Sequence, residues 1–146
     1  MSDQRHRQGV LWALSVTLLL VVGAAAANQD LRLVNAAKDQ DLKQVRTLLS
    51  GRPDVNTPSE DGSTALLWAA HWNDLQTADL LVRAGADANA ANDFRMTPLA
   101  RACTNGSAAF VDVLLKAGAN PNTPIGTGET PLMTCARTGS VDAVRM

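Results

Sequence analysis

The sequence predicts an all-α solenoid built from four stacked helix–turn–helix units. The first indication is a helix-start motif that returns every 33 residues, beginning at Thr64, Thr97 and Thr130. The second is a Gly-Ala ending that occurs at Gly85 and returns 33 residues later at Gly118. The third is an asparagine with the same spacing, at Asn56, Asn89 and Asn122. A fixed period of this length is typical of repeat proteins, whose units bury their apolar faces by stacking on one another.

The repeated motifs resemble those of ankyrin repeats. The resemblance lies in the period, the Thr-Pro-Leu start at Thr97, the Ala69-Ala70 pair and the Leu-Leu-x-x-Gly-Ala ending that begins at Leu114. It covers nearly all of the chain after residue 28, with repeats at about 28–58, 59–91, 92–124 and 125–146, the last incomplete. The resemblance implies helix–turn–helix pairs joined by β-turn loops, and a concave face that usually binds a protein partner.

Residues 1–27 have the layout of a secretory signal peptide. Arg5 and Arg7 precede the apolar run Val10–Val22, and small residues follow as far as Ala27. This order predicts a signal helix that is cleaved between Ala27 and Asn28. The alternative is an uncleaved membrane anchor, but the strongly apolar run of 13 residues is short for a membrane span. We therefore expect an exported protein, periplasmic or secreted, that contacts a membrane only if this segment is retained.

The first repeat predicts two short helices, each with an apolar stripe. Asp30 is a candidate N-cap for the first helix. Helical spacing gives this helix a buried face composed of Leu31, Val34 and Ala37. In the second helix, the same spacing selects Leu42, Val45, Leu48 and Leu49.

The second repeat carries the fullest motif. Asp61-Gly62 predicts a tight turn with a positive φ at the glycine. The hydroxyl of Thr64 can cap the helix that follows, and the Ala69-Ala70 pair lets a neighbouring helix approach closely. Gly85 predicts a left-handed helix end. The stripe predicted for the second helix is Leu75, Ala78, Leu80, Leu81 and Val82.

The third and fourth repeats depart from this pattern in two places. Arg95 occupies the turn position of Gly62 and Gly128, so a positive φ there would strain it. The fourth repeat stops at Met146 without the polar capping repeat that solenoids normally need for solubility. A piece of a longer chain is therefore favoured over a last helix that frays. The stripe predicted for the third repeat's second helix is Phe110, Val111, Val113, Leu114 and Leu115.

Cys103 and Cys135 fall in the small-residue pair of their repeats. Exported proteins can form disulfides. However, equivalent helices in neighbouring repeats should lie about one helix diameter apart, roughly 10 Å, whereas a disulfide needs Cα atoms within about 7 Å. Two buried, unbridged cysteines are therefore favoured over a disulfide.

The composition argues against several functional classes. A net charge of −1 gives no basic field, and three Trp, two Phe and no Tyr make no base-stacking platform, so nucleic acid is not expected as a partner. His71 is the only histidine after residue 27, and it forms no metal-site spacing with the cysteines. It could pair with Asp74, but an exposed histidine at a helix end is favoured. No motif for phosphate binding or nucleophilic catalysis occurs. We expect no metal, no cofactor and no enzymatic activity.

The candidate binding site follows from the resemblance, which assigns turn tips and the ends of first helices to the concave face. Trp72, Phe94 and Met96 are large apolar groups at positions that a bare scaffold would fill with polar ones, and such a patch is typical of a protein-binding hot spot. The alternative is that Trp72 lies flat on its own repeat and Phe94 tucks into its turn. For Trp68, packing between helices is favoured over contact with a ligand. The full predicted set is Glu60, Asp61, His71, Trp72, Asp93, Phe94, Met96, Thr104, Asn105, Glu129 and Arg137.

Two functions fit the sequence. The first is an exported, non-catalytic interaction module that binds a protein on its concave face, as the resemblance to small exported bacterial ankyrin proteins implies. The second is the N-terminal repeat part of a longer multidomain enzyme, or of a toxin or inhibitor protein. The identity of the partner cannot be read from the sequence.

Overall fold

The computed structural model describes residues 31–145, which form helices and turns without a β-strand. Each repeat contributes an inner helix followed by an outer helix. The predicted signal segment 1–27, the cleavage site between Ala27 and Asn28, and the Asp30 cap lie outside the described residues. The helices are α1 (31–38), α2 (Leu42–Ser50), α3 (Ala65–Trp72), α4 (Leu75–Arg83), α5 (Pro98–Thr104), α6 (Ala108–Lys116), α7 (Pro131–Arg137) and α8 (Val141–Arg145).

Threonine hydroxyls start three of the inner helices. The side chain of Thr64 accepts a hydrogen bond from the Leu67 amide, and Thr97 and Thr130 cap α5 and α7 in the same way. Each hydroxyl satisfies one of the amides that have no partner in the first helical turn, which confirms the predicted cap at Thr64. In α5 and α7 a proline follows the cap, where its missing N–H costs nothing.

The turn before each of these inner helices needs a positive φ. Gly62 has φ of 77° and Gly128 has 86°, and Arg95 adopts 58° at the same position. The prediction of a strained Arg95 is therefore confirmed. Gly85, with φ of 93°, follows α4 in the left-handed conformation, as predicted.

The core runs through the stack as one continuous layer. Inner helix α3 packs on α5, and α5 packs on α7. Alanines at these contacts, among them Ala69, Ala70 and Ala102, are fully buried and let the backbones approach closely. In the outer helices the most buried predicted residues are Val45, Ala78, Leu81, Phe110, Val111 and Leu114.

Leu31 corrects the predicted face of α1, because its side chain is 43% exposed. The buried residues of this helix are Leu33, Val34, Ala36 and Ala37. At about 100° per residue, Leu31 lies roughly 140° from the centre of that stripe. The predicted set of Leu31, Val34 and Ala37 therefore included one residue that lies outside the buried stripe.

The two cysteines also correct the prediction, because Cys103 of α5 and Cys135 of α7 form a disulfide with Cα atoms 4.4 Å apart. The expectation compared the distance between helix axes with the reach of a disulfide. Each Cα atom lies about 2.3 Å from its helix axis. Two helices with axes 8–10 Å apart therefore bring facing Cα atoms to about 3–5 Å. Small neighbours such as Ala102 permit that approach.

Two of the recurring asparagines, Asn56 and Asn89, tie their repeats to the next one. The Asn56 side chain donates to the Gly85 carbonyl at 3.3 Å and accepts from the Asp87 amide at 2.7 Å. Asn89 makes the same two contacts one repeat later, with Gly118 at 2.9 Å and Asn120 at 2.7 Å. The 33-residue spacing of asparagine thus reflects one hydrogen-bonding position that is used again at the next interface.

Candidate functional site on the inner face

Two pockets lie side by side where the turns meet the inner helices, a surface we call the inner face. It corresponds to the concave face that the resemblance implies. Asp61 and Trp68 line both pockets and form the boundary between them. Pocket A, of about 400 Å³, is lined by Leu31, Val34, Asn35, Lys38, Ser59, Glu60, Asp61 and Trp68. Pocket B, of about 220 Å³, is lined by Asp61, Ser63, Leu67, Trp68, His71, Asn92, Phe94 and Arg101.

Trp68 and Arg101 are neighbours because they occupy the same position in consecutive repeats. Residues 33 apart lie beside each other when the repeats stack, so this position forms a row along the inner helices: Asn35, Trp68, Arg101 and Thr134. Trp68 packs against the core, as predicted, but its ring also lines both pockets. The Lys38 ammonium lies 5.2 Å from the Trp68 ring centroid, a cation–π distance.

Asp61 holds the turn between the two pockets. Its carboxylate accepts hydrogen bonds from the Ser59 hydroxyl at 2.6 Å and the Ser63 hydroxyl at 2.8 Å. These bonds, with a further one from the Ser63 amide, lower the pKa of Asp61 because they favour its charged form. Asp61 therefore carries a negative charge on the inner face at neutral pH.

Phe94 projects from a well-held turn. Its side chain is 72% exposed, so it does not tuck into the turn. The Asn92 side chain accepts from the Phe94 amide at 3.1 Å, and the Asp93 amide donates to the Asp61 carbonyl of the preceding turn at 3.0 Å. On its other side Phe94 lines pocket C, of about 410 Å³, together with Asp93, Arg95, Met96, Ile125, Gly126 and Thr127.

Gly126 explains how closely the third and fourth turns approach. A Cβ atom at this position would lie 2.8 Å from the carbonyl oxygen of Phe94, too close for any side chain. The backbone at Gly126 thus contacts the turn that carries Phe94, on the side opposite the Asp61 turn. Phe94 is therefore an exposed aromatic group on a turn that contacts both neighbouring turns.

Trp72 and Asn105 bind the preceding repeat. The Trp72 indole N–H donates to the Lys38 carbonyl at 2.9 Å, and the Asn105 side chain donates to the Ala70 carbonyl at 2.9 Å. One repeat later the Thr138 hydroxyl donates to the Cys103 carbonyl at 3.0 Å. Positions 72, 105 and 138 are equivalent, and the side chain at each of them donates a hydrogen bond to a carbonyl near the end of the preceding inner helix. Trp72 does not lie flat on its own repeat, and it remains 45% exposed.

His71 is exposed and lies between two tryptophans. Its ring centroid is 5.5 Å from that of Trp68 and 4.6 Å from that of Trp72, both in edge-to-face arrangements. The carboxylate of Asp74 caps α4 by accepting from the Gln76 and Thr77 amides at 3.1 Å. Asp74 therefore serves the start of its own helix, and the structure shows the exposed helix-end histidine that the sequence favoured.

The remaining predicted residues lie apart from pocket B. Glu129 and Arg137 face each other at 3.5 Å in the fourth repeat. Thr104 donates back to the Ala100 carbonyl of its own helix at 2.9 Å. The predicted set is therefore brought together around Phe94 only in part. Its members that line pockets A, B or C are Glu60, Asp61, His71, Asp93, Phe94 and Met96.

Comparison with known families agrees with the geometry of the stack. The family model described as ankyrin repeats (3 copies) matches residues 33–125 and 85–146. The chain belongs to the ankyrin-repeat family. Its repeats form a protein–protein interaction module. No curated protein matches the chain.

Three residues of this ankyrin inner face were missed by the sequence reasoning. Arg101 and Lys38 were not assigned, and for Trp68 packing was favoured over contact with a ligand. The signal was present in the row that contains Asn35, Trp68, Arg101 and Thr134, since an arginine interrupts an ankyrin inner helix that is otherwise rich in alanine and leucine. Aligning the repeats by position, and not only by motif, would have placed Arg101 beside Trp68.

Within residues 31–145 of the ankyrin stack, no helix combines the length and the apolar character that a membrane crossing requires.

Proposed function

We propose that this chain is an exported, non-catalytic ankyrin-repeat protein that binds a protein partner through its concave face, centred on Phe94. The observation that carries the proposal is the 72% exposure of Phe94 on a turn held on both sides, between pockets B and C. An aromatic side chain that is exposed before binding gains the most from being buried against a partner. Because its support is already ordered, little conformational entropy is lost on binding.

The surroundings of Phe94 support a protein partner. Asp61, Asp93 and Arg101 form a polar rim around an apolar centre, the arrangement typical of protein interfaces. Aromatic and arginine residues are also the types most enriched among binding hot spots. Pockets A, B and C lie next to one another along the inner face, so a partner can contact several repeats at once.

A non-catalytic role is supported by the contacts of the titratable groups around Phe94. The oxygens of Asp61 accept from serines, and those of Asp74 cap α4. His71 faces two indole rings. General-base catalysis needs a base held by an orienting partner and aimed at a substrate proton, and these groups are instead committed to the fold.

Export is supported by the disulfide between Cys103 and Cys135. Disulfides form and persist in oxidising compartments, and are rare in reducing ones. We propose a periplasmic or secreted location after cleavage between Ala27 and Asn28. Mass spectrometry of the protein taken from the cells that make it should give Asn28 as the first residue. A cytosolic protein that retains Met1 would contradict export.

The binding face is tested by photo-crosslinking in the cells that make the protein. A photoreactive phenylalanine analogue replaces Phe94, and in a matched strain it replaces Val141. Val141 is 56% exposed on outer helix α8, so the control has a similarly accessible apolar position on another face. We expect a discrete protein adduct from position 94 and none of the same mass from position 141.

The outcome separates binding from accidental contact. Adducts of the same mass from both positions would show collisions with abundant proteins, and would contradict a site at Phe94. The absence of any adduct from position 94, with the variant exported and folded, would contradict the proposal as well.

A further inference from the structure

Two residues that line pocket B each have a buried N–H group with no acceptor among residues 31–145. These groups are Nε1 of Trp68 and Nε of Arg101. Native proteins contain few buried donors without an acceptor, because such a donor loses its hydrogen bonds to water and gains none in return. Both residues line the same pocket of about 220 Å³, because they occupy equivalent positions in consecutive repeats. These two N–H groups are closed to solvent, so a group that enters pocket B meets the remaining donors of the Arg101 guanidinium, which is partly exposed.

The charge of Arg101 points to the kind of group. The ion pairs within the described part of the chain join Asp79 to Arg83, Asp112 to Lys116, and Glu129 to Arg137, so none of them uses Arg101. A guanidinium carries five N–H donors in a planar fork that matches the two oxygens of a carboxylate. An acidic group would supply both the charge and the acceptors.

The apolar part of pocket B points to what lies beside that acidic group. Leu67 is only 5% exposed at the base of the pocket, the indole of Trp68 forms one side, and Phe94 stands open at its edge. This combination suits a short peptide segment in which an acidic residue is next to an apolar one. The apolar side chain would cover Phe94 while the carboxylate reaches the donors.

Asp61 restricts how such a segment can lie. It also lines pocket B, and its oxygens accept hydrogen bonds from Ser59 and Ser63, so it remains charged and turned towards its own loop. Like charges repel. A ligand carboxylate is therefore disfavoured near Asp61 and favoured at the Arg101 end of the pocket, which gives the bound segment a direction.

We propose that pocket B binds an acidic side chain of a partner peptide, with its carboxylate on the guanidinium of Arg101 and an adjacent apolar side chain on Phe94. This rests on the proposed function and narrows the partner to a protein that presents an exposed aspartate or glutamate beside an apolar residue. The recognition is electrostatic at one end and hydrophobic at the other.

The test is an NMR titration of the native protein with two peptides that differ in one charge. The first probe is acetyl-Gly-Leu-Glu-Leu-Gly-amide, and the second has glutamine in place of glutamate. We expect the glutamate peptide to bind about tenfold more tightly, because a hydrogen bond to a charged group is worth about 1.5–3 kcal/mol. The indole N–H resonance of Trp68 and the Nε–H resonance of Arg101 should shift and saturate together.

Two variants separate the pocket from general electrostatics. Arg101→Gln should reduce the preference for the glutamate peptide to less than about twofold, since it removes the charge but keeps a polar side chain. Arg83→Gln is the matched control, because Arg83 pairs with Asp79 on outer helix α4 and does not line pocket B. Its preference should equal that of the unmodified protein.

Three results would overturn the inference. They are equal affinity for the two peptides, an unchanged preference in Arg101→Gln, or no saturable shift with either peptide. None of these decides the proposed function, which rests on crosslinking from position 94. A crosslinked partner without a glutamate preference would leave a protein-binding face that does not use pocket B for acidic side chains.

Discussion

At the scale of single residues, Trp68 and Trp72 show how position decides the role of a side chain. Both lie on α3 and both present an indole to the inner face. The N–H of Trp72 reaches the Lys38 carbonyl of the preceding repeat, whereas the N–H of Trp68 is buried without an acceptor in the described residues. Trp72 thus joins repeats, whereas Trp68 has a buried donor that no described residue satisfies.

This difference predicts unequal losses of stability for the same substitution at the two positions. Trp72→Phe should lower the free energy of unfolding by about 1 kcal/mol, because it removes a hydrogen bond between repeats. Trp68→Phe should cost less, since it also removes an unpaired donor. Urea denaturation of the two variants measures both values. A larger loss for Trp68→Phe would contradict these roles.

Arg95 predicts a second contrast at this scale. Its φ of 58° is unfavourable for a residue with a Cβ atom, by about 1–2 kcal/mol. Arg95→Gly should therefore leave stability unchanged or raise it by up to about 1 kcal/mol, the gain being reduced by the freedom of glycine in the unfolded chain. The change in melting temperature measures this.

The equivalent substitution at Gly62 is the control. Its φ is 77°, and an added Cβ atom would lie 3.0 Å from the Asp93 carboxylate. Gly62→Ala should cost at least about 1 kcal/mol. If Arg95→Gly destabilised the protein as much as Gly62→Ala, the positive φ would not be the source of strain.

At the scale of elements, the disulfide joins the inner helices of the third and fourth repeats. Replacing Cys103 and Cys135 together by alanine should lower stability by up to about 3–4 kcal/mol, the chain-entropy value for a sequence separation of 32 residues. Helices α7 and α8 contact the rest of the described stack mainly through α5 and α6. Their amides should therefore exchange with solvent much faster in the double variant.

Hydrogen exchange also supplies the internal control for this prediction. Amides of α3 and α4 belong to the second repeat, which the disulfide does not touch, so their local protection should change little. Equal loss of protection in all four helices would mean that the stack unfolds as one unit. Unchanged protection in α7 and α8 would mean that the disulfide does not hold the fourth repeat.

The sequence predicted elements well where their cause is local. The cap at Thr64, the positive φ at Arg95 and the left-handed end at Gly85 each depend on a few neighbouring residues. The predictions from the sequence failed where a feature depends on residues of another repeat. The disulfide required the distance between facing Cα atoms, and the hydrogen bond of Trp72 required the position of the Lys38 carbonyl. The binding candidates were therefore right about the exposure of Phe94 but silent about Arg101.

At the scale of the whole molecule, stacking produces both stability and a surface. The asparagine contacts occur at the first two interfaces between repeats, and the donors at positions 72, 105 and 138 occur at all three, so the same few hydrogen bonds recur along the stack. Large side chains at equivalent positions then differ from repeat to repeat. We infer that these differences, in Trp68, Phe94 and Arg101, give the inner face its specificity.

The most direct test of a binding face centred on Phe94 is the affinity of the crosslinked partner for three forms of the protein, measured by calorimetry. Phe94→Ala should weaken binding about tenfold or more, as expected for an aromatic hot spot. Val141→Ala should bind within about twofold of the unmodified protein, and both variants should keep its melting temperature. If Phe94→Ala bound as tightly as the unmodified protein, or Val141→Ala lost as much affinity, the partner would not bind at this face.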